Sequence, residues 1–348
     1  MTRIITAFGL LVLVASSAHA QDSPLIASNA ERAALRPDGS FLFWDAPNSK
    51  LVFEAQFAPR LIVKDSIGKA TAEVLDSDKA VWGWNVSASP MVRLRMFRQT
   101  SAPVRTPSYM PKGVIQFARF KNLSTASRAS ERFRGPVSMW LIDIIPFGHH
   151  SNGQDGCMFT DQKRDDVSEK CVLVPGVERA INKKDGSFST NYLEVGAHYG
   201  RLHLEPRKDE QEFGTRWEWR AGGILQLNPR GFGGGPSINA DLAPLYGQTR
   251  VTFETRVARR SISSFCGRAE GGLWLQHIGK LPGDIPRVTV SVDGLCLPKG
   301  WGGTGLYLRY YRGQDYYNLG FAEKIHRIQF GFTFHQAKFL SFALPATR

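Results

Sequence analysis

Beyond Ala15 the chain has no apolar run of about eighteen residues, the length a helix needs to cross a bilayer, so no transmembrane helix is encoded. Cysteine is scarce. Cys157, Cys171, Cys266 and Cys296 are the full set, and no Cys-x-x-Cys spacing supports a structural zinc site. The glycine-rich stretch at 231–235 lacks the lysine and spacing of a nucleotide loop, which leaves a flexible turn rather than a phosphate cradle. No internal repeat and no second domain stand out. Acidic residues are also short, with 31 Asp and Glu against 44 Lys and Arg, a formal charge of +13. An exported chain rarely meets nucleic acid, so basic side chains in loops facing anionic lipid headgroups fit that charge better.

The start of the chain is what marks it for export. Arg3 precedes an apolar run from Ile4 to Ala15, and Ala18-His19-Ala20 supplies a small-residue cleavage site. This predicts a signal peptide over 1–20 and a mature chain beginning at Gln21. In an oxidising compartment the cysteines read as disulfides. Cys157 with Cys171 and Cys266 with Cys296 each bracket one polar segment, and that pairing is preferred among three connectivities.

Aromatics are plentiful, 22 Phe, 9 Tyr and 8 Trp, and many sit in segments that alternate at period two. Leu51 to Phe57 is the first. Trp82, Trp84, Val86 and Ala88 then alternate with Gly83, Asn85 and Ser87, and Val92, Leu94 and Met96 with Arg93 and Arg95. Further alternation lies near 114–120, 217–226, 251–258, 273–278, 288–292 and 306–312. It ends with Ile328, Phe330, Phe332 and Phe334 against Arg327, Gln329, Gly331 and Thr333. Three prolines between Ala102 and Pro111 read as a connecting loop. Charged residues interleaved with apolar ones predict an all-β fold, a transmembrane antiparallel β-barrel with a wet lumen and a lipid-facing wall. Twelve strands of about ten residues need roughly 120 membrane residues, which leaves ample length for loops. Residues 21–348 then form one outer-membrane barrel domain, opening with a polar periplasmic lead-in to about Ser40. A soluble sandwich gives the same alternation, and period two alone leaves that reading open.

One strand runs into Gly148-His149-His150-Ser151-Asn152-Gly153. Along it Val137, Met139, Leu141, Asp143, Ile145, Phe147, His149 and Ser151 share a face, apolar but for the aspartate until the last two residues. Polar groups at the end of such a face are costly without partners. A polar stretch follows, and stretches of that length without structure of their own need a staple or a function. The next strand opens at Phe188-Ser189-Thr190-Asn191, with Asn191, Leu193, Val195, Ala197 and Tyr199 on one face and Glu194 on the other. A serine becomes a useful nucleophile beside a base, and that base needs a third group to fix its tautomer. Asparagine does so without burying a charge beside hydrocarbon.

At His149-His150-Ser151-Asn152-Gly153, followed by Ser189-Thr190-Asn191, the sequence resembles the outer-membrane phospholipase A family. Ala102-Pro103-Val104-Arg105 with Tyr109-Met110-Pro111, the segment from Tyr311 to Asn318, and that from Arg327 to Phe334 are similar to further parts of the family. The resemblance implies a 12-stranded barrel in the bacterial outer membrane, a calcium-dependent phospholipase A1/A2-type ester hydrolase that is a homodimer when active and acts on membrane phospholipid. It makes Ser151 the nucleophile, His149 the general base, Asn191 the residue orienting the imidazole, and the Gly153 amide an oxyanion donor. For calcium it implies the backbone carbonyl of Gln154, where the family has arginine, and Ser101 from across the dimer. The long cysteine-bearing loop between Gly153 and Asn191 departs from the family and bears on calcium ligation. Two readings compete: a lipid A deacylase-type barrel with Glu194 as third member, and a non-enzymatic outer-membrane pore with His149 and Ser151 as rim residues.

Overall fold

The computed structural model describes residues 39–45, 50–74, 77–98, 104–124, 135–161, 179–183, 185–206, 213–229, 242–260, 262–279, 281, 285–301 and 304–334. The predicted signal peptide and most of the lead-in therefore lie outside the described residues. The alternating segments become strands, and β1, β3, β7 and β8 join them from stretches where no alternation is read: β1 (Ser40–Asp45), β2 (Leu51–Phe57), β3 (Leu61–Asp65), β4 (Val81–Phe97), β5 (Ser108–Asn122), β6 (Gly135–Ser151), β7 (Phe159–Asp161), β8 (Arg179–Ile181), β9 (Ser189–Pro206), β10 (Phe213–Leu227), β11 (Thr249–Arg260), β12 (Cys266–Ile278), β13 (Val288–Pro298), β14 (Thr304–Gln314) and β15 (Lys324–Phe334). Among the described residues two short helices, α1 (Ile67–Glu73) and α2 (Ala243–Tyr246), join them.

The main sheet runs β2-β1-β15-β14-β13-β12-β11-β10-β9-β6-β5-β4-β3, and β2 also pairs with β4, which closes it. β2 and β3 lie end to end along one edge of β4, with Ala55 opposite Leu94 and Leu61 opposite Ala88. They form a single interrupted wall strand, so the closed antiparallel barrel has twelve. Closure matters physically, because hydrocarbon offers no partner for the N–H and C=O groups of an open edge. Phe117, Trp140, Ile142, Val195, Leu225, Val251, Phe253, Val257, Val292, Leu308, Ile328 and Phe330 are exposed on the outside, the apolar belt a membrane-spanning wall needs. No described helix is long and apolar enough to cross a membrane.

Apolar side chains fill part of the lumen. α1, too short to show a readable periodicity, folds in over Gly83, where an added Cβ would lie 2.9 Å from the Ile67 Cα. Ile67, Ala70 and Val74 pack there with Ala118, Phe120, Val137, Met139, Leu141 and Leu202. Farther along, charges are buried in pairs, as burial requires: Arg95 lies 2.6 Å from Glu54 and 2.7 Å from Asp315. At the opposite end, Met158, Phe188, Leu242, Ala243, Tyr246, Leu319 and Phe321, drawn from three loops, make a second apolar core.

Three local expectations meet the structure here. Tyr109, Met110 and Pro111 belong to β5 and not to a loop; Pro111 stands opposite Pro90 in the β4 ladder. The stretch after Gly153 has structure of its own, since β7 and β8 pair as a small separate sheet. Cys266 and Cys296 are bonded, whereas the other expected bridge involves Cys171, outside the described residues.

Candidate active site

A one-residue irregularity in β6 decides where the site lies. Ile145 stands opposite Glu194 and Gly148 opposite Tyr192, three steps along β6 against two along β9. The same count holds on the other edge, where Ile144 faces Ile115 and Phe147 faces Gly113. This is a β-bulge, which turns every later side chain to the other face. Pro146 sits inside it, and a residue with no N–H is tolerated where the ladder is already interrupted.

The continuous odd-numbered face expected for β6 is therefore corrected. Val137, Met139, Leu141, Asp143 and Ile145 are buried on the lumen side, while beyond the bulge Gly148, His150 and Asn152 are the buried residues. Phe147, His149 and Ser151 turn outward, Phe147 being 47% exposed.

β9 needs no such correction. Asn191 is the direct partner of His149, and Ser189 that of Ser151. Opposed residues of adjacent antiparallel strands share a face, so Asn191 belongs to the outer wall although only 3% of it is exposed. Its Oδ1 lies 2.7 Å from His149 Nδ1. An amide oxygen only accepts, so if the amide is oriented as placed, the proton is on Nδ1 and Nε2 keeps a free lone pair. Ser151 lies two residues on along the same face; among the described residues its hydroxyl makes no hydrogen bond to the imidazole. Such contacts often tighten only when substrate binds.

The turn after Ser151 is fixed from inside by Asn152, a residue sequence reasoning passed over. Its Nδ2 donates to the Gly186 carbonyl at 2.7 Å, and its Oδ1 accepts from the Phe188 N–H at 2.9 Å. The Asn152 N–H donates to the Phe188 carbonyl at 3.1 Å. Gly153 then bends at φ 65°, a conformation glycine adopts without strain. An added Cβ there would come within 3.2 Å of the Tyr109 ring. Among the described residues no acceptor takes the Gly153 N–H, which leaves it available to an oxyanion. Behind the site, the His150 ring lies edge-on to Phe188 at 4.8 Å and its Nδ1 is 3.4 Å from the Tyr246 hydroxyl.

Asn152→Ala strands two buried backbone partners, each worth about 1–3 kcal/mol. The expected result is faster amide exchange at Phe188 and lower activity, with the barrel itself still folded. Unchanged Phe188 exchange would show that the loop is held by other contacts.

Glu194 points the other way: it is 6% exposed, on the lumen face, opposite Ile145 and Gln226. For calcium, which takes six to eight oxygen ligands, the described residues contain no cluster of three or more Asp, Glu, His or Cys. The Gln154 N–H donates to Asn152 Oδ1 at 3.3 Å, and Ser101 lies outside the described residues.

No family model matches the chain, and comparison with curated proteins gives no significant match. Among solved structures it is similar to outer membrane phospholipase A from Escherichia coli, at 11% identity and TM-score 0.45 over 91% of this chain and 95% of that one. An active-site mutant of the same protein at pH 6.1 gives 11% identity and TM-score 0.46 over the same shares. The dimer of Salmonella typhi outer membrane phospholipase with bound calcium gives 11% identity and TM-score 0.41 over 86% and 91%. The chain is a twelve-strand barrel by its own strand pairing, and these are the barrels it resembles.

Proposed function

We propose that the chain is an outer-membrane acyl ester hydrolase of the phospholipase A type, acting on glycerophospholipids from the outer face of its barrel. The observation that carries the reading is the 2.7 Å contact between His149 and Asn191 on an outward rung, with Ser151 beside it and exposed apolar side chains around it. A polar constellation facing hydrocarbon is costly unless it does chemistry there. Phe147, Val195, Leu225 and Leu227, all exposed on the same wall, offer a lane for an acyl chain.

In this mechanism Ser151 Oγ attacks the ester carbonyl carbon while His149 Nε2 takes the hydroxyl proton. Asn191 holds the imidazole in the tautomer that can accept it. The Gly153 N–H donates to the developing oxyanion. As the carbon–oxygen bond to the glycerol side breaks, His149 returns the proton to the leaving oxygen. A water, deprotonated by the same nitrogen, then releases the fatty acid from Ser151.

The test is release of fatty acid from phosphatidylcholine–detergent mixed micelles by refolded protein. Absence of any release, with and without calcium, would sink the reading. The apolar cluster packed across one end of the lumen weighs against a pore, and the lumen-side Glu194 weighs against a deacylase that uses it as third member.

Calcium dependence and an active homodimer in the bacterial outer membrane belong to the same proposal. The backbone carbonyl of Gln154 and Ser101 of a second copy are the ligands proposed for the ion, and no step above runs through it. Excess chelator is expected to lower activity reversibly, and crosslinking with calcium present to enrich a dimer. Full activity of a monomer in chelator would remove calcium and dimer from the proposal and leave the serine chemistry standing.

A further inference from the structure

Away from Ser151, at the other end of the barrel, the outer face from β4 to β11 carries cations and aromatics on adjoining rungs. Trp82 stands opposite Arg119, Arg119 opposite Trp140, and Trp140 opposite Tyr199. On the next rung Lys121 faces Ser138, Ser138 faces Arg201, and Arg201 faces Trp219. Beyond that, Trp217 pairs with His203 on one side and Arg259 on the other. Directly opposed side chains lie roughly 5 Å apart on one face, so these residues form one continuous patch.

The patch is knit together by its rings. The Arg119 guanidinium is 5.9 Å from the Trp82 ring, and Arg201 Nε donates to the Tyr199 hydroxyl at 3.2 Å. Trp140 and Tyr199 lie 4.9 Å apart, and Tyr199 and Trp219 5.6 Å. Yet among the described residues none of Arg119, Lys121, Arg201 and Arg259 has a carboxylate partner, and Lys121, Arg201 and Arg259 are exposed. The outward positions at the same end of β13, β14 and β15 are instead Cys296, Leu306, Phe332 and Phe334. Among the described outward strand positions at this end, the cations lie on the side of the barrel that also carries β6 and β9.

Tryptophan and tyrosine settle at the level of lipid headgroups, and lysine or arginine there attracts anionic phosphates. The long loops gather at the Ser151 end and shorter turns at this one, the usual polarity of an outer-membrane barrel, so the patch faces the leaflet opposite the site. We infer that Arg119, Lys121, Arg201 and Arg259, framed by Trp82, Trp140, Trp217 and Trp219, bind the headgroup of an anionic glycerophospholipid. That lipid is a resident of the wall, not a substrate, because Ser151 lies at the other end of the strands.

The inference does not depend on the serine chemistry, and its test reads no hydrolysis. The full mature chain carrying Ser151→Ala is refolded into phosphatidylcholine vesicles containing a minor fraction of either brominated phosphatidylglycerol or brominated phosphatidylcholine. Tryptophan quenching then reports which lipid sits beside the rings; Trp82, Trp84, Trp140, Trp217 and Trp219 are five of the eight tryptophans. Phosphatidylglycerol is expected to quench preferentially at low salt. Arg201→Gln and Lys121→Gln should each weaken that preference on the order of fivefold. Arg312→Gln, an exposed site at the opposite end, should leave it unchanged. Heat-modifiable migration keeps unfolded protein out of the comparison. Equal quenching by both lipids, or a preference that survives Arg201→Gln together with Lys121→Gln, overturns the inference.

Discussion

Ser151→Ala is expected to cut fatty acid release by at least about 10⁴-fold, because the acyl-enzyme route is lost and only binding and the oxyanion donor remain. The barrel should be untouched. Ser151 is the last residue of β6, its side chain is on the outer face, and its hydroxyl holds no hydrogen bond among the described residues. Truncation thus removes chemistry and almost no packing. The assay is initial-rate release from mixed micelles, with heat-modifiable migration on a gel to report the fold. Wild-type rates in the folded variant would mean that Ser151 is not the nucleophile.

Asn191→Ala should lower the rate by about 10- to 100-fold, part of the 10²- to 10⁴-fold that a positioned general base contributes. Without the amide the imidazole samples both tautomers and several rotamers, so a fraction of encounters still finds Nε2 free. The loss should fall in kcat more than in KM, since Asn191 acts through His149 and does not line the apolar lane. Glu194→Gln serves as the control: it lies on the lumen face and is expected to leave kcat within about threefold of wild type. Wild-type kcat in Asn191→Ala, or a kcat loss in Glu194→Gln equal to it, would overturn the assignment.

How much of this could be read from the chain depends on which strand is considered. For β9 the parity of Asn191 with Leu193, Val195 and Ala197 was legible, because the alternation there is unbroken. For β6 it was not. Ile145 and Phe147 are both apolar and two apart, so period two appears to continue through the very place where one face becomes the other. The signal was Pro146, which cannot donate to a ladder and marks an interruption. The wall strands were legible because each separates two media. α1 was not, since seven residues give barely two turns of periodicity and its partners, Phe120, Met139 and Leu202, come from distant parts of the chain. Asn152 looked like part of a motif, and only the fold reveals that it fastens Gly186 and Phe188.

The packed interior has a mechanical consequence. A hollow cylinder of twelve strands can ovalise when lateral pressure in the bilayer changes, and every cross-strand distance on its surface then drifts. Close-packed protein matter is nearly incompressible. With Phe120, Met139 and Leu202 bearing against the wall at one end and Phe188, Tyr246 and Phe321 at the other, squeezing either end of the cylinder means squeezing a packed core. The spacing between β6 and β9 at His149 and Asn191, which lie beside the second of these cores, should therefore change little with the thickness and tension of the surrounding lipid, so the same geometry is expected in a micelle and in a membrane.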